Sequence, residues 1–201
     1  MNRLPPELLI TIFQTFRNDQ NTLSALTLTC RRIRLFTLPL LYLRPRFASI
    51  SAFHSFLSIP ASSGALVREI DLSHIKTRWR HITDNDIGML VMLCPNLISL
   101  DINACLMLTD WSLRMIAERI GHKLLQLNIT HCKRFSQSAL VELASVCENL
   151  NSLDFSYTEI SESALGEIEQ TCKSIKWLNL KYCEWVIEGF VGLEGGGKNQ
   201  V

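Results

Sequence analysis

The sequence predicts an α/β fold in which a small helical module precedes about five strand–helix repeats that share one parallel sheet. Two observations predict this fold. Five segments follow one pattern, apolar-x-x-apolar-x-apolar-x-x-small, and they begin 30, 27, 26 and 25 residues apart, at Val67, Leu97, Leu124, Leu150 and Ile175. In addition, apolar residues recur at helical spacing within the first 45 residues. Units repeated at such intervals stack and bury their apolar sides against one another.

Each repeat segment is predicted to be a short strand that leads through a loop into a helix. A Ser or Thr follows each of the first four segments, and apolar residues at helical spacing begin directly after it, as Leu113 and Ile116 do after Thr109. A hydroxyl at a helix N-terminus accepts a hydrogen bond from an unpaired first-turn amide. The predicted N-caps are Thr83, Thr109, Ser136 and Ser161.

The cysteines follow the same repeat. Cys94, Cys147 and Cys172 form one series, Cys105, Cys132 and Cys183 form a second, and Cys30 stands apart. Other repeats hold Ile75, Thr158 and Gly121 at these positions, so the positions do not demand a thiol. Because seven is an odd number and no Cys-x-x-Cys pair occurs, we expect buried structural thiols and no metal or catalytic site.

The N-terminal module is predicted to hold two helices. Pro5 and Pro6 suit the start of the first helix, where a missing amide hydrogen has no cost. That helix carries apolar residues at Leu8, Leu9, Ile12, Phe13 and Phe16, and the second is predicted to carry Leu23, Leu26, Leu28 and Cys30, ahead of the basic residues Arg31, Arg32 and Arg34. Such short helices cannot bury all of their apolar surface, which favours a partner.

The domain boundaries follow from these patterns. We expect a helical module at residues 3–45, a linker helix and loop at residues 46–65, repeats at residues 66–193 and a disordered tail at residues 194–201. The linker helix, with Phe53 and Phe56 at helical spacing, is expected to cap the N-terminal edge of the repeat array. The Gly-rich end of the chain offers no polar cap for the last repeat.

Composition excludes several classes of protein. Hydrophobic residues make up 47% and charged residues 19% of the chain, and 20 basic residues against 19 acidic ones give a net charge of +1. We therefore expect a folded protein and no nucleic-acid partner. Neither a membrane-spanning run nor a signal peptide is apparent, so we expect no membrane partner and a cytoplasmic and/or nuclear location. No catalytic, cofactor-binding or metal-binding constellation stands out, so we expect no enzyme and no cofactor.

Alternation along the strands predicts which side chains face outward. One outward column reads Asp71, Asp101, Asn128, Asp154 and Asn179. This column suits a basic segment of a target, but polar residues are equally typical of a solvated strand. Trp177 is a large aromatic residue on the same predicted face, and Trp79 lies in an extra basic loop, Lys76–His81. Both tryptophans are candidate target-binding residues.

The residues of both regions resemble known families. The repeats resemble the cysteine-containing leucine-rich repeats of F-box proteins, which implies a right-handed solenoid with the parallel sheet on its concave face. The N-terminal module resembles an F-box through LPPELL from Leu4, Ile12-Phe13, the Leu-x-x-Leu-x-Leu-x-Cys-Arg stretch that ends at Arg31, and Pro39-Leu40-Leu41-Tyr42. Where that family commonly has Trp after Cys-Arg-Arg, this chain has Ile33.

The resemblance implies a substrate-recognition adaptor of an SCF ubiquitin ligase. The module would dock a Skp-type linker, and through it cullin and RING subunits, while the repeats would bind a target protein that the sequence does not identify. By resemblance, the docking residues are Leu4, Pro5, Leu8, Leu9, Ile12 and Phe13. Leu9, Ile12 and Phe16 alternatively pack the core of the module itself. A stand-alone binding or inhibitory repeat protein is the alternative function.

Overall fold

Helices fill the N-terminal third of the protein, and strands alternate with helices thereafter. The computed structural model describes residues 4–183. The first helices are α1 (Pro6–Gln14), α2 (Gln20–Thr27), α3 (Arg31–Leu43), α4 (Ile50–Phe56) and α5 (Ala61–Gly64). The remaining elements are β1 (Glu69–Asp71), α6 (Arg78–His81), α7 (Asp84–Leu93), β2 (Ser99–Asp101), α8 (Asp110–Ile120), a 3-10 turn (Gly121–Lys123), β3 (Gln126–Asn128), α9 (Gln137–Val146), β4 (Ser152–Asp154), α10 (Glu162–Thr171) and β5 (Trp177–Asn179).

The five strands form one parallel sheet in the order β1-β2-β3-β4-β5, which confirms the predicted α/β class and parallel sheet. The pairing is in register from unit to unit, so Ile70, Leu100, Leu127, Leu153 and Leu178 form one row. The first four of these side chains are buried, as the alternation predicts. The helices lie between successive strands in sequence, and each of α8 and α9 packs against the helix before it.

One apolar core runs through all the units, and six of the seven cysteines belong to it. The prediction of buried thiols is confirmed for these six, whereas Cys30 is exposed. The thiols of Cys132 and Cys183 donate to the carbonyl oxygens of Ile102 and Phe155, each in the preceding unit, at 3.3 and 3.2 Å. The thiol of Cys172 donates to the Cys147 carbonyl at 3.3 Å. Burial raises the pKa of Cys132 to about 12, so this thiol stays protonated at neutral pH.

The four predicted N-caps are confirmed in position. The hydroxyls of Thr109, Ser136 and Ser161 bond the preceding unit, whereas the Thr83 hydroxyl bonds Asp86 of its own helix. The Thr109 hydroxyl does not cap its own helix; it donates to the Asp84 carboxylate at 2.6 Å, and the Thr109 amide donates to the other oxygen at 2.8 Å. Ser136 makes the same pair of bonds to Asp110, at 2.6 and 2.7 Å. The first residues of α7, α8 and α9 thus fix the start of the helix that follows each of them.

The helical module has its own small core. Leu9, Phe13 and Ile33 are buried together, with Phe36 and Leu40 of α3 packed against them. Ile33 therefore occupies an interior position. The second predicted helix is wrong in its extent, because α2 ends at Thr27, and Cys30 is the N-cap of α3. Leu28 and Cys30 are consequently exposed in the connection between the two helices.

Residues 44–47 join the module to the sheet. The Arg44 guanidinium pairs with the Glu69 carboxylate at 2.5 Å, Arg46 forms a parallel bridge with Asp71, and the Arg68 amide donates to the Leu43 carbonyl. The side chain of Gln20 in α2 donates to the Arg44 carbonyl at 2.6 Å and accepts from the Arg46 amide. The prediction that the linker helix caps the edge of β1 is wrong, because this extended segment pairs there.

The helix α4 instead packs into the core. Phe53 and Phe56 are buried in edge-to-face contact with Phe47, and Gly64 at the end of α5 lies against Leu93 of α7. Within residues 4–183, no helix is long and apolar enough to cross a membrane. The last part of the predicted repeat region, residues 184–193, and the predicted tail at residues 194–201 lie outside the described residues.

Candidate functional site

The helix α1 presents an apolar surface to solvent. Leu8 is 51% exposed and Ile12 is 44% exposed, one helical turn apart, and Pro5 is exposed at the start of the same helix. Leu8, Ile12 and Pro5 are called the docking face below. Ile10 is exposed on the same helix, Phe16 is exposed two residues after that helix ends, and Leu35 is exposed on α3. This much apolar area on one small module is typical of a surface that binds another protein.

The predicted docking set needs correction at two positions. Leu9 and Phe13 are 2% and 3% exposed, because they contact Ile33 across the α1–α3 interface. Their side chains therefore form the core of the module and do not face a partner. Leu4 is intermediate: its side chain packs on that core, and its carbonyl accepts from the Arg32 guanidinium at 2.5 Å. The alternative prediction was that Leu9, Ile12 and Phe16 pack the core of the module. It is correct for Leu9 and wrong for Ile12 and Phe16, which are exposed.

The outward column of the sheet is in register but is engaged in internal hydrogen bonds. In every unit the Asp or Asn side chain accepts from the amide two residues later, as Asp101 does from Asn103 at 2.9 Å and Asp154 from Ser156 at 2.9 Å. These bonds shape the turn that follows each strand. The amide of Asn128 also donates to Asp101 at 2.8 Å, and Asn179 donates to Asp154 at 3.1 Å.

Each Asn of the column therefore has a structural role: Asn128 lies between the carboxylates of Asp101 and Asp154 in the register, and Asn179 lies beside that of Asp154. Asp71 and Asp101 are adjacent in the register, with no Asn side chain between them. Burial raises the pKa of Asp101, and the charge of Asp71 raises it further, while the bonds from Asn103 and Asn128 oppose the shift. The His74 Nε2 atom lies 3.3 Å from the Asp71 Oδ2 atom. The column therefore stabilises the turns, and its role in target binding stays a prediction.

The two predicted tryptophans lie far apart. Trp177 is 44% exposed on β5, at the outer surface of the sheet. Trp79 is 40% exposed on α6, in the connection that follows β1 at the other side of the sheet. Four strand spacings separate β1 from β5, which corresponds to roughly 19 Å. The structure therefore does not bring Trp79 and Trp177 into one pocket.

The carboxyl ends of the strands carry a feature that the sequence reasoning missed. Residues 74–82, 104–108, 131–135, 157–160 and 182–183 follow the five strands, and together they are called the loop edge. His131 stacks on Tyr157 with ring centroids 4.1 Å apart, and Tyr157 stacks on Tyr182 with centroids 4.4 Å apart. The sequence contains a signal for this ring stack, because all three residues occupy the third position after the Asp or Asn of their strands.

The backbone holds these rings in place at some cost. Ala104, His131, Tyr157 and Tyr182 all have φ between 53° and 62°, a left-handed conformation that residues other than glycine seldom adopt. The amides of His131 and Tyr157 donate to Ser156 and Lys181 of the next unit, both at 3.0 Å. The ladder of the sheet thus continues beyond the strands and compensates for the unfavourable φ. It places successive rings at the spacing of the units.

The N-terminal region matches a known family. Residues 1–78 match the family model described as the COS11 F-box domain, so the chain contains an F-box domain of this type. That range covers α1 to α5 and β1 and ends at Arg78. No curated protein matches the chain.

Two solved structures are similar to part of the chain. A chain in the crystal structure of the Rad7 and Elc1 complex in yeast is 20% identical, with a TM-score of 0.48, and the similarity covers 64% of this protein and 32% of that chain. A chain in the crystal structure of a TLR13–ssRNA13 complex is 18% identical, with a TM-score of 0.40, covering 61% and 20% respectively. The protein spans about a third and about a fifth of the length of these two chains.

Proposed function

We propose that the protein is a substrate-recognition adaptor of an SCF-type ubiquitin ligase. The F-box domain match at residues 1–78 is the observation that carries this proposal. F-box domains bind Skp1-type linkers, and F-box proteins are generally non-catalytic adaptors. In this proposal the docking face contacts the linker, which connects the protein to cullin and RING subunits.

The repeat units following the module would hold the target. Their cysteines, strand pattern and spacing resemble leucine-rich repeats, and a right-handed solenoid is the arrangement that we propose for them. The contribution of such an adaptor is positional: a bound target brings its lysines to a high effective concentration near the ubiquitin thioester. The pairing of residues 44–47 with β1 supports this role, because it ties the linker-binding module to the target-binding sheet through backbone contacts.

The experiment is a titration of the purified chain with a Skp-type linker, using Leu8→Ala/Ile12→Ala as the test variant. Burying a whole Leu or Ile contributes about 1.5–3 kcal/mol, and these two are about half exposed, so their joint loss removes about 1.5–3 kcal/mol. The dissociation constant is expected to rise about 10- to 150-fold. Met89→Ala/Met92→Ala is the matched control, because it removes two exposed apolar side chains from α7, outside the N-terminal module.

The outcomes separate the two functions. Linker binding that is lost in the test variant and kept in the control supports the adaptor. A folded wild-type chain that does not bind the linker contradicts the adaptor and favours a stand-alone repeat protein. Circular dichroism of all three proteins checks that the substitutions leave the fold intact, as expected for exposed positions.

A further inference from the structure

The loop edge concentrates positive charge. Its five segments contain the basic residues Lys76, Arg78, Arg80, Lys133 and Arg134 and the single acidic residue Glu159, which gives a net charge of +4 where the whole chain has +1. The strands that lead into it carry carboxylates, as in Asp71 and Asp154. The sheet therefore changes from an acidic surface to a basic one at the point where the strands end.

Four of these cations are available to a partner. Lys76, Arg80, Lys133 and Arg134 are exposed, and their side chains have no hydrogen bond or ion pair within residues 4–183. The cations at the opposite edge of the sheet differ. Arg68 donates to three carbonyls, and Lys123 donates to the Pro95 carbonyl at 2.9 Å. Arg68 and Lys123 thus stabilise the fold through these bonds, whereas Lys76, Arg80, Lys133 and Arg134 make none within residues 4–183.

Large apolar side chains are interspersed among the free cations. Trp79, Leu106, Met107, Tyr157 and Tyr182 are all exposed, and Tyr182 reaches 69%. Aromatic residues and arginine are the residue types that dominate binding energy at protein interfaces. Their combination on one edge indicates a binding surface, because isolated solvated lysines would not need these apolar neighbours.

The ring geometry favours carboxylates over nucleic-acid bases. The planes of Tyr157 and Tyr182 are inclined by 20° at 4.4 Å, and those of His131 and Tyr157 by 21° at 4.1 Å, so the inner faces of the rings are covered by one another. Base stacking needs a free ring face, which Tyr157 lacks and which His131 and Tyr182 keep on one side only. Ring edges carry partial positive charge and attract anions. Tyrosine hydroxyls also donate hydrogen bonds to carboxylates.

We propose that the loop edge binds an acidic segment of the target protein, in which Asp or Glu residues alternate with apolar ones. This inference deepens the proposed function, since it names the class of target that the repeat array would hold. The carboxylates pair with Arg80, Lys133 and Arg134, and the apolar residues pack on Trp79 and Met107. Arg78 takes a positioning role, because its guanidinium already donates to the Asn103 carbonyl at 2.6 Å and side chain at 3.1 Å.

The test is fluorescence anisotropy with a labelled peptide rich in Asp and Leu. The same peptide with Lys in place of every Asp, and a single-stranded DNA oligonucleotide, are the comparison probes. The test variant is Arg80→Glu/Lys133→Glu/Arg134→Glu. The control variant is Arg119→Glu/Lys173→Glu/Lys176→Glu, which changes the net charge equally at exposed positions away from the loop edge. A second test variant, Tyr157→Ala/Tyr182→Ala, removes the rings and leaves the charge unchanged.

We expect the acidic peptide to bind in preference to both other probes and to dissociate as salt is raised. The triple reversal on the loop edge should weaken binding by at least about tenfold, and the control by less than about threefold. Equal weakening in both triple variants, preferential binding of DNA, or no preference for the acidic peptide would overturn the proposal. Unchanged binding in the tyrosine variant would overturn the role given to the rings.

Linker titration of the same variants separates this inference from the adaptor function. The loop edge variants are expected to bind the Skp-type linker as the wild type does. Acidic-peptide binding by a chain that fails to bind the linker would contradict the adaptor function and retain the loop edge as an interaction site. Linker binding without acidic-peptide binding would leave the adaptor and remove the proposed target class.

Discussion

Replacing Asn128 by Asp tests whether the outward column stabilises the sheet. The substitution is nearly isosteric, but it removes the donor that bonds the Asp101 carboxylate at 2.8 Å and places a second carboxylate there. Burial already raises the pKa of Asp101, with the charge of Asp71 adding to the shift. Four carboxylates in adjacent register positions, those of Asp71, Asp101, the new Asp and Asp154, would then share one surface.

The expected loss of stability follows from these contacts. A hydrogen bond to a charged group contributes about 1.5–3 kcal/mol. Repulsion between the facing carboxylates adds to the loss until one of them takes up a proton. We expect the variant to be about 2–4 kcal/mol less stable at pH 7, which in a chain of this length lowers the melting temperature by about 4–16 °C.

The effect of pH has a definite sign. A carboxyl whose pKa is raised by folding binds a proton more tightly in the folded state, so it destabilises that state increasingly as pH rises above the unfolded value of 3.8. Asn128→Asp raises this pKa further and adds a second carboxyl of the same kind. The difference in melting temperature between variant and wild type should therefore shrink as pH is lowered from 7 to about 4.

The assay is thermal unfolding followed by circular dichroism across that pH range, with Gln126→Glu as the control. Gln126 lies two residues earlier on the same strand, is exposed, and accepts from the Ser99 hydroxyl, so Glu adds the same charge and keeps the acceptor of this bond. A variant as stable as the wild type at pH 7, a difference independent of pH, or an equal loss in Gln126→Glu would refute the reasoning.

Three further predictions concern packing and thiol reactivity. Gly64→Ala should destabilise the protein by about 1–3 kcal/mol in denaturant titrations, because an added Cβ would overlap the Leu93 carbonyl; a neutral effect would show that α5 can move away. Leu9→Ala should cost about 2–5 kcal/mol and Leu8→Ala less than about 0.5, and similar losses would contradict the assignment of Leu9 to the core. A thiol reagent at pH 7.5 should modify Cys30 at once and the other six cysteines only in denaturant. The reason is that the six are buried, and burial raises the pKa of Cys94 and Cys147 to about 12. Rapid loss of the Cys147 thiol in the folded protein would contradict this prediction.

The sequence was sufficient for the parallel sheet because the repeat period states which residues are equivalent. Ile70 and Leu100 align in the sheet as their repeat positions predict, and Thr83, Thr109, Ser136 and Ser161 begin helices. The hydrogen bonds between units could not be predicted from the repeat period. The Thr109 hydroxyl bonds Asp84, 25 residues earlier, and only the assembled array brings these side chains together.

The docking face shows a second limit of periodicity. Leu8 and Ile12 form one i, i+4 pair on α1, and Leu9 and Phe13 form another. Both pairs meet the helical spacing equally well, so the sequence pattern does not select the inward one. The position of α3 makes the selection, because Ile33 contacts Leu9 and Phe13 and leaves Leu8 and Ile12 in solvent.

The bonds at the helix starts also bear on how such an array lengthens during evolution. Asp84, Asp110 and Gln137 each accept from the residue that begins the following helix, namely Thr109, Ser136 and Ser161. Each unit thus carries an acceptor for the unit after it and a donor for the unit before it. A whole unit duplicated in tandem would meet both neighbours with matching groups, whereas a duplication that breaks within a unit would separate the two. Growth of the array is therefore favoured in complete units, and a substitution of the acceptor in one unit is compensated only by a change in the next.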